Sequence, residues 1–206
     1  MFKNRLDAAE RLSQALIQYH GKKPLVLGIP RGAVPMARHI AKNLNGDLDV
    51  VLVRKLSSPF NTEFALGAVD ESGCLYVGKD AARHGGTAAY LAEEKARQLE
   101  VLRQRRREYT PIRAPRDPAG RIVIVVDDGL ATGSTMIAAL RALRAKGPSR
   151  LVCAVPVAPA DAVERVEAYC DEVVCLETPR NFQAVGQFYQ TFPQVSDAEV
   201  ALILAD

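Results

Sequence analysis

The sequence predicts an α/β protein in which a mostly parallel central sheet is flanked by helices. Short apolar runs that suit buried strands alternate with segments of helical periodicity along the 206 residues. Hydrophobic residues make up 48% of the chain and charged residues 25%, which is typical of a globular protein. The length suits one substantial core, so we expect a single domain over residues 1–206.

The first half of the chain is expected to contain three helices, two strands and a hairpin. Apolar residues recur at helical spacing in three segments: Asn4 to Tyr19, Val34 to Leu44 and Thr87 to Tyr109. The first helix is expected to bury a stripe formed by Leu6, Ala9, Leu12, Leu16 and Ile17. Strands are predicted at Pro24 to Ile29 and Asp49 to Lys55, and a hairpin at Phe64 to Val77 with its turn at Glu71 to Gly73.

The second half is expected to continue the alternation of strands and helices. Three apolar runs predict strands: Ile122 to Val126, Leu151 to Val157 and Glu172 to Thr178. Helices are predicted between and after them: Ser134 to Lys146, Ala160 to Ala168 and Ser196 to Leu204. Ser196 and Glu199 have the spacing of a capping box at the start of the last helix.

Several classes of protein are disfavoured by composition. A formal net charge of +3 is too small to indicate nucleic-acid binding by itself. The four cysteines lack zinc-site spacing and are interpreted as reduced residues of a cytoplasmic protein. The charged helical pattern of residues 2–11 is unlike a signal peptide, and no apolar run approaches the roughly 20 residues of a membrane-spanning helix.

The segment IVIVVDDGLATGST, Ile122 to Thr135, contains the most informative chemistry. Asp127 and Asp128 close an apolar strand, and a loop of small and hydroxyl residues leads into a helix. The free N–H groups and positive dipole end of a helix start bind phosphate, and Gly133 permits close backbone approach. The carboxylates would repel that phosphate, so they suit vicinal hydroxyls or Mg²⁺ held through water. A sugar phosphate with free ring hydroxyls satisfies both features.

Other motifs fit this loop less well. A P-loop needs Lys before its Ser or Thr, whereas Ser134 directly follows Gly133. The Rossmann glycine fingerprint is absent, and a receiver domain would carry its acidic pair after the first strand. The loops Pro30 to Gly32 and Arg54-Lys55 also follow predicted strands, so all three loops are expected at the carboxyl edge of one sheet.

The residues VIVVDDGLATGSTM resemble the phosphoribosyl-pyrophosphate (PRPP) motif of the type I phosphoribosyltransferases at every position. GIPRGAVPMA, Gly28 to Ala37, resembles the pyrophosphate loop of that family. LVRKLSSPFN followed by EFALGAV is similar to the segment in which adenine-type members carry Arg-Lys. The pattern is closest to predicted members that lack an assigned substrate. The resemblance implies the type I phosphoribosyltransferase fold, with a small hairpin and hood region beside the central sheet.

The resemblance assigns the PRPP motif two roles. Asp127 and Asp128 would hold the ribose 2′- and 3′-hydroxyls and, through water or those hydroxyls, Mg²⁺. The loop that wraps the 5-phosphate would be formed by Ala131, Thr132, Gly133, Ser134 and Thr135. Hypoxanthine-guanine members carry Asp where Ala131 stands, so 6-oxopurine substrates are disfavoured and adenine is the nearest expectation.

The same resemblance places the leaving pyrophosphate near four residues: Arg31, Gly32, Arg54 and Lys55. Cations directed at the departing pyrophosphate are the expected source of catalysis, and no covalent nucleophile is needed. The candidate catalytic residues are therefore Asp127, Asp128, Arg54 and Lys55. The general base is unassigned, because Glu63 and Glu71 follow the Arg-Lys pair but Glu71 is interpreted as a solvated carboxylate.

Two further regions could contribute to the site. Residues 84–118 are expected to form a lid-like helical insertion, in which Lys95 to Arg116 hold eight Arg and Lys residues against two Glu. The alternative is a solvated helix with pairs such as Glu93–Arg97, and nucleic-acid binding is disfavoured because Tyr109 is the only aromatic there. Residues 179–206 are expected to form a hood, in which Phe182 stacks on the acceptor base or packs in the core.

The predicted function is Mg²⁺-dependent transfer of ribose 5-phosphate from PRPP to a nitrogenous base, with release of pyrophosphate, in nucleotide metabolism. The alternative is a regulator of the same fold that senses PRPP or nucleotides without turnover. The pyrophosphate-loop Arg31 and the Arg54-Lys55 pair favour the enzyme, because a sensor of phosphoribosyl groups need not bind the leaving group. The resemblance also suggests a homodimer.

Overall fold

A computed structural model describes residues 1–61, 64–111 and 115–205. Within these residues the elements follow one another as α1 (Arg5–Ala15), β1 (Leu25–Gly28), α2 (Val34–Leu44), β2 (Asp47–Val50), β3 (Val53–Ser57), β4 (Ala65–Asp70), β5 (Leu75–Val77), α3 (Ala88–Tyr109), β6 (Ile122–Val126), α4 (Ser134–Arg144), β7 (Arg150–Val157), α5 (Ala160–Glu167), β8 (Glu172–Glu177) and α6 (Asp197–Ala205). Apart from α1 and the Asp49 to Lys55 run, the predicted elements are confirmed to within two residues at each end.

The central sheet contains five strands in the order β2-β1-β6-β7-β8, and every neighbouring pair is parallel. Successive side chains of its strands point to opposite faces. Val26 and Ile124 pack against α1 and α2, whereas Leu27 and Val125 pack against α4 and α5. Because both faces are covered by helices, the inner strands β1, β6 and β7 are almost wholly apolar, and the predicted α/β architecture is confirmed.

The first helix is shorter than predicted and buries a different stripe. Asn4 caps α1 by accepting hydrogen bonds from two backbone N–H groups, and the helix ends at Ala15 before a 3₁₀ turn. The prediction of burial is wrong for Leu6 and Ile17, which are 53% and 62% exposed. The tighter 3₁₀ turn changes the direction of the side chains that follow Leu16, so Ile17 faces solvent.

The apolar run Asp49 to Lys55 does not form one strand, contrary to the prediction. Its first residues complete β2, which pairs with β1, and its last residues begin β3, which pairs antiparallel with β4 in a second sheet. The chain changes sheets at Val51 and Leu52, which hydrogen-bond to Gly28 and Glu71 respectively. Arg54 and Lys55 therefore belong to the small sheet that faces the edge of the large one.

The small sheet has the order β3-β4-β5 and packs against α3 and α6. The predicted hairpin is confirmed as β4 and β5. Leu91, Leu102 and Tyr109 of α3 are buried against this sheet, so one face of the basic helix is part of a core. The predicted capping box of α6 is also confirmed, because Ser196 and Glu199 exchange hydrogen bonds. None of the helices in the described residues is long and apolar enough to cross a membrane.

Arg106 of α3 connects the two sheets through a buried ion-pair network. Its guanidinium donates to Glu71 at 2.6 Å through two nitrogens and to Asp49 at 3.0 Å. The Arg106 side chain is 12% exposed and that of Asp49 is 1% exposed. Glu71 is therefore not the solvated carboxylate that the sequence predicts, because its partner holds it at the junction of the sheets.

We expect Arg106→Met to lower the free energy of unfolding by about 3–5 kcal/mol, because it removes a buried cation that pairs with both Glu71 and Asp49. Arg107→Met is the matched control, since Arg107 is the next residue and 66% exposed. Its substitution should change the free energy by no more than about 0.5 kcal/mol. Urea unfolding at pH 7 measures both, and equal effects would contradict a structural role for the network.

Candidate active site

Three loops meet at the carboxyl edge of the central sheet. Gly28 at the end of β1 lies opposite Val126 at the end of β6. The backbone continues this pairing, because the N–H of Ile29 donates to Val126 at 3.0 Å. The N–H of Val51, after β2, donates to Gly28 at 3.2 Å. The loops that follow β1, β2 and β6 therefore leave the sheet side by side.

The loop between β6 and α4 forms a small cavity at the start of a helix. Gly133 precedes α4 with φ of +74°, a conformation that disfavours other residues. The hydroxyls of Thr132 and Ser134 lie 3.0 Å apart, and the N–H of Leu130 donates to Val157 and fixes the loop on β7. The cavity measures about 180 Å³ and is lined by Asp127 and by residues 129–136. Free N–H groups in the first turn of α4 make it suitable for a phosphate.

The two carboxyl groups after β6 have different surroundings. Asp128 forms an ion pair with Arg5, whose Nε and Nη2 lie 2.9 and 2.8 Å from Oδ2. Asp127 accepts a hydrogen bond from the N–H of Asp128 at 2.9 Å. Burial, followed by the charge of Asp128, raises the pKa of Asp127 well above its usual value. The pair therefore combines a carboxyl group held by Arg5, Asp128, with one that resists ionisation, Asp127.

Gly32 brings the loop after β1 against this pair. A Cβ atom at position 32 would overlap Oδ2 of Asp128, so only glycine leaves the carboxylate in place. The preceding residue, Arg31, is half-exposed and lies 3.1 Å from Asp197 at the start of α6. Asp197 also accepts a hydrogen bond from Tyr109, and this bond, ahead of the nearby arginines, lowers the pKa of Asp197. Arg31 is thus fixed by α6 at the rim of the site.

A larger cavity of about 400 Å³ opens between the central sheet, β3 and α3. Arg54, Lys55 and Arg105 line it, together with Pro30 and Thr135. Burial, followed by the charge of Arg105, lowers the pKa of Arg54. Since arginine stays protonated at neutral pH, three positive charges face one another across this cavity.

Among the described residues the lining contains one acidic side chain, Glu94, which acts on Arg54 but offsets the three basic side chains only in part. Glu94 is paired with Arg97 at 3.0 Å and accepts a hydrogen bond from Gln98 at 2.8 Å. Gln98 also accepts from Nε of Arg54 at 2.9 Å and so directs that guanidinium. Thr135 lines both this cationic cavity and the phosphate-loop cavity, so the two cavities adjoin at this residue. A ligand with a phosphate at one end and a polyanion at the other fits this arrangement.

The predicted aromatic of the hood lies in a packed cluster. Phe182 stacks on Phe188 at 5.3 Å and both pack against the α1 and α2 side of the core. Tyr189 stacks on Phe192 at 4.7 Å in the same region. Base binding by Phe182 stays a prediction, whereas Val185 of this tail lines the phosphate-loop cavity. Glu63, a candidate general base, lies outside the described residues.

Two residues of the site were missed by sequence reasoning. Arg105 belongs to a run of arginines in which Arg103 and Arg107 are exposed. The only sequence signal that distinguishes Arg105 is its position on the helix relative to the buried Leu102, which also lines the cavity. Arg5 lies 123 residues from Asp128 in sequence and belongs to no recognisable motif. The predicted Glu93–Arg97 pair is confirmed at 3.1 Å.

The site offers limited protein ligands for Mg²⁺. The described residues contain no group of three or more His, Cys, Asp and Glu side chains placed to hold a metal ion. Asp127 and Asp128 nevertheless present the hard oxygen ligands that Mg²⁺ prefers. These residues fit an ion that receives most of its ligands from water and from the oxygens of a bound substrate.

Comparison with known proteins agrees with this geometry. The phosphoribosyl transferase domain family matches residues 2–191, and the chain belongs to that family. It is 47% identical over 207 residues to “Putative phosphoribosyl transferase Rv0571c” of Mycobacterium tuberculosis strain H37Rv. That alignment covers 99% of this chain, which spans 46%, about half, of the length of its relative. The crystal structure of TT1426 from Thermus thermophilus superimposes with a TM-score of 0.90 at 47% identity, covering 98% of this chain and 97% of that one.

Because the pKa of Asp127 is raised, its contribution to the free energy of unfolding should fall as pH rises. An unfolded Asp ionises near pH 3.9, so above that pH the folded state retains a proton that the unfolded state has lost. We expect Asp127→Asn to be more stable than wild type at pH 8, with a difference that disappears below about pH 4. Urea unfolding between pH 3.5 and pH 8, in EDTA, measures this difference.

Asp171→Asn should have the opposite effect on the free energy of unfolding. A hydrogen bond from Arg144 lowers the pKa of Asp171, so its contribution is present above the unfolded pKa and is lost in acid. This variant should be less stable than wild type at pH 8 and should approach it below about pH 4. A stability loss at pH 8 for both variants would contradict the buried, proton-retaining state of Asp127.

Proposed function

We propose that this phosphoribosyltransferase domain transfers the 5-phosphoribosyl group from PRPP to a nitrogenous base and releases pyrophosphate. The observation that carries the proposal is that a cavity at a helix start, suited to phosphate, adjoins at Thr135 a cavity lined by three basic side chains. PRPP has a 5-phosphate and a pyrophosphate on opposite sides of a ribose, and the acidic pair follows the same strand as the phosphate loop.

Each end of PRPP would meet complementary chemistry. Residues 131–135 would hold the 5-phosphate through N–H groups and hydroxyls. Arg54, Lys55 and Arg105 would receive the pyrophosphate, with Arg31 at the rim. Asp128, the member of the pair that is held by Arg5, would accept hydrogen bonds from the ribose hydroxyls. Mg²⁺ beside Asp127 and Asp128 would neutralise pyrophosphate charge when bound.

This arrangement suits cleavage of the bond between the anomeric carbon and pyrophosphate. As that bond breaks, positive charge develops on the ribose ring and negative charge on the departing oxygens. The fixed cations stabilise the leaving group, and Asp128 stabilises the ring through its hydroxyls. The nitrogen of the acceptor base then forms the new bond at the anomeric carbon, and its proton passes to the departing pyrophosphate. The protein therefore needs to supply orientation and charge rather than a nucleophile.

Isothermal titration with PRPP and Mg²⁺, followed by a screen of nucleobases for pyrophosphate release, tests the proposal. We expect PRPP to bind and one base, with adenine tested first, to release pyrophosphate. Asp128→Asn should weaken PRPP binding, and Arg31→Ala should abolish pyrophosphate release. Binding without release for any base would favour the sensing regulator instead, and no binding of PRPP would overturn the proposal.

A matched pair of glycine variants distinguishes an effect on the phosphate loop from the general cost of backbone strain. Gly133 and Gly147 have φ of +74° and +70°, so alanine is strained at both. A Cβ at Gly133 would lie 3.1 Å from Val166 beside the phosphate loop, whereas Gly147 faces open space. Gly133→Ala should lower PRPP affinity at least about tenfold, and Gly147→Ala should leave it within about twofold of wild type. Equal losses would place the phosphate elsewhere.

Arg105 allows a sharp test of the pyrophosphate end. We expect Arg105→Gln to weaken binding of pyrophosphate, measured by titration calorimetry, by about 10-fold or more, as for loss of a charge-assisted hydrogen bond. Arg107→Gln makes the same change of charge on the exposed side of α3 and should alter affinity less than about twofold. If the two variants behave alike, the cationic cavity does not bind pyrophosphate.

A further inference from the structure

Arg5, in the first helix, contacts residues of the site that lie far from it in sequence. Its side chain is only 11% exposed, and its guanidinium lies 3.8 Å from the centre of the Phe192 ring. Nη1 donates to the carbonyl of Pro193 at 2.5 Å, which leaves Nε and Nη2 for Asp128. All three nitrogens of this guanidinium therefore donate a hydrogen bond, which fixes its position.

The two donors from Arg5 converge on a single oxygen of Asp128. Both Nε and Nη2 bind Oδ2, at 2.9 and 2.8 Å, rather than one oxygen each. Gly32 covers the same oxygen, since a Cβ there would overlap Oδ2. Tyr189, which is buried, donates its hydroxyl to the Asp128 carbonyl at 2.7 Å and fixes the backbone. One oxygen of the carboxylate, Oδ2, is thus bound by Arg5 and enclosed by Gly32. The other oxygen, Oδ1, is therefore directed away from Arg5.

We propose that Arg5 is a positioning residue that holds Asp128 so that Oδ1 faces the ribose hydroxyls of the ligand. This inference rests on the proposed function, in which Asp128 recognises those hydroxyls. A fixed carboxylate loses less conformational freedom on binding than a mobile one, and a charged acceptor strengthens a hydroxyl hydrogen bond. The start of α1 and the tail around Phe192 thereby become part of ribose recognition.

The test compares ribose 5-phosphate with 2-deoxyribose 5-phosphate, because these ligands differ by one hydroxyl and share the phosphate. Affinities are measured by titration calorimetry at pH 7.5 with Mg²⁺ constant. Wild type should prefer ribose 5-phosphate about 10-fold or more. Arg5→Gln should reduce this preference to within about threefold, while its affinity for the deoxy sugar stays near that of wild type. Arg5→Lys, which keeps the charge, should recover part of the preference.

Two further variants test whether the result for Arg5 reflects a general loss of structure. Arg144→Gln breaks another two-pronged arginine–aspartate pair, with Asp171, at the opposite end of α4, and should leave the preference unchanged. Gly32→Ala displaces the same Asp128 oxygen while keeping the Arg5 side chain, although its Cβ would also lie 3.1 Å from Nη2 of Arg5, so it should also lose the preference even if the Arg5 variants fold poorly.

Three results would overturn the inference. In the first, Arg5→Gln retains the full preference for ribose 5-phosphate. In the second, it loses affinity for both sugars equally, as a general loss of structure would. In the third, wild type binds neither sugar nor PRPP, and the proposed function fails as well. If PRPP and ribose 5-phosphate bind but substitution of Arg5 changes neither affinity, the inference fails and the proposed function stands.

Discussion

The site depends on the parallel pairing of β1 with β6, in which Gly28 lies opposite Val126. Parallel neighbours deliver their following loops to the same edge, so this pairing places the two ligand loops side by side. Gly28 also lets α2 approach, because a Cβ there would lie 3.1 Å from both Ala37 Cβ and the Val34 backbone. A shift of one residue in this pairing would separate Gly32 from Asp128 and exchange the buried faces of the strand.

Charge is balanced differently in the two parts of the site. Asp128 has a permanent counterion in Arg5, and the carboxyl of Asp127 resists ionisation because it is buried. The cavity lined by Arg54, Lys55 and Arg105 is balanced only in part, since the one acidic side chain among its described lining residues, Glu94, is also paired with Arg97. Partly buried like charges favour binding of a polyanion, which relieves their repulsion. The acidic part of the site is therefore balanced within the protein, whereas the cationic part has an excess of basic side chains.

The features predictable from sequence were those encoded by neighbouring residues. The strand and loop from Ile122 to Thr135 carry their own periodicity and glycine requirement, so both the motif and its place at a sheet edge could be anticipated. The change of sheet at Val51 could not, because an apolar run of seven residues looks the same whether or not it bends. Arg5 and Glu71 acquire their roles from residues distant in sequence, Asp128 and Arg106, and no local pattern records such contacts.

A crystal structure of the protein with PRPP bound tests the central claim most directly. We predict the 5-phosphate in the loop of residues 131–135, the ribose hydroxyls at Oδ1 of Asp128, and the pyrophosphate among Arg54, Lys55 and Arg105. Arg5 should keep its contact with Oδ2 of Asp128. PRPP bound in the reverse orientation, or outside the two cavities that meet at Thr135, would contradict the account.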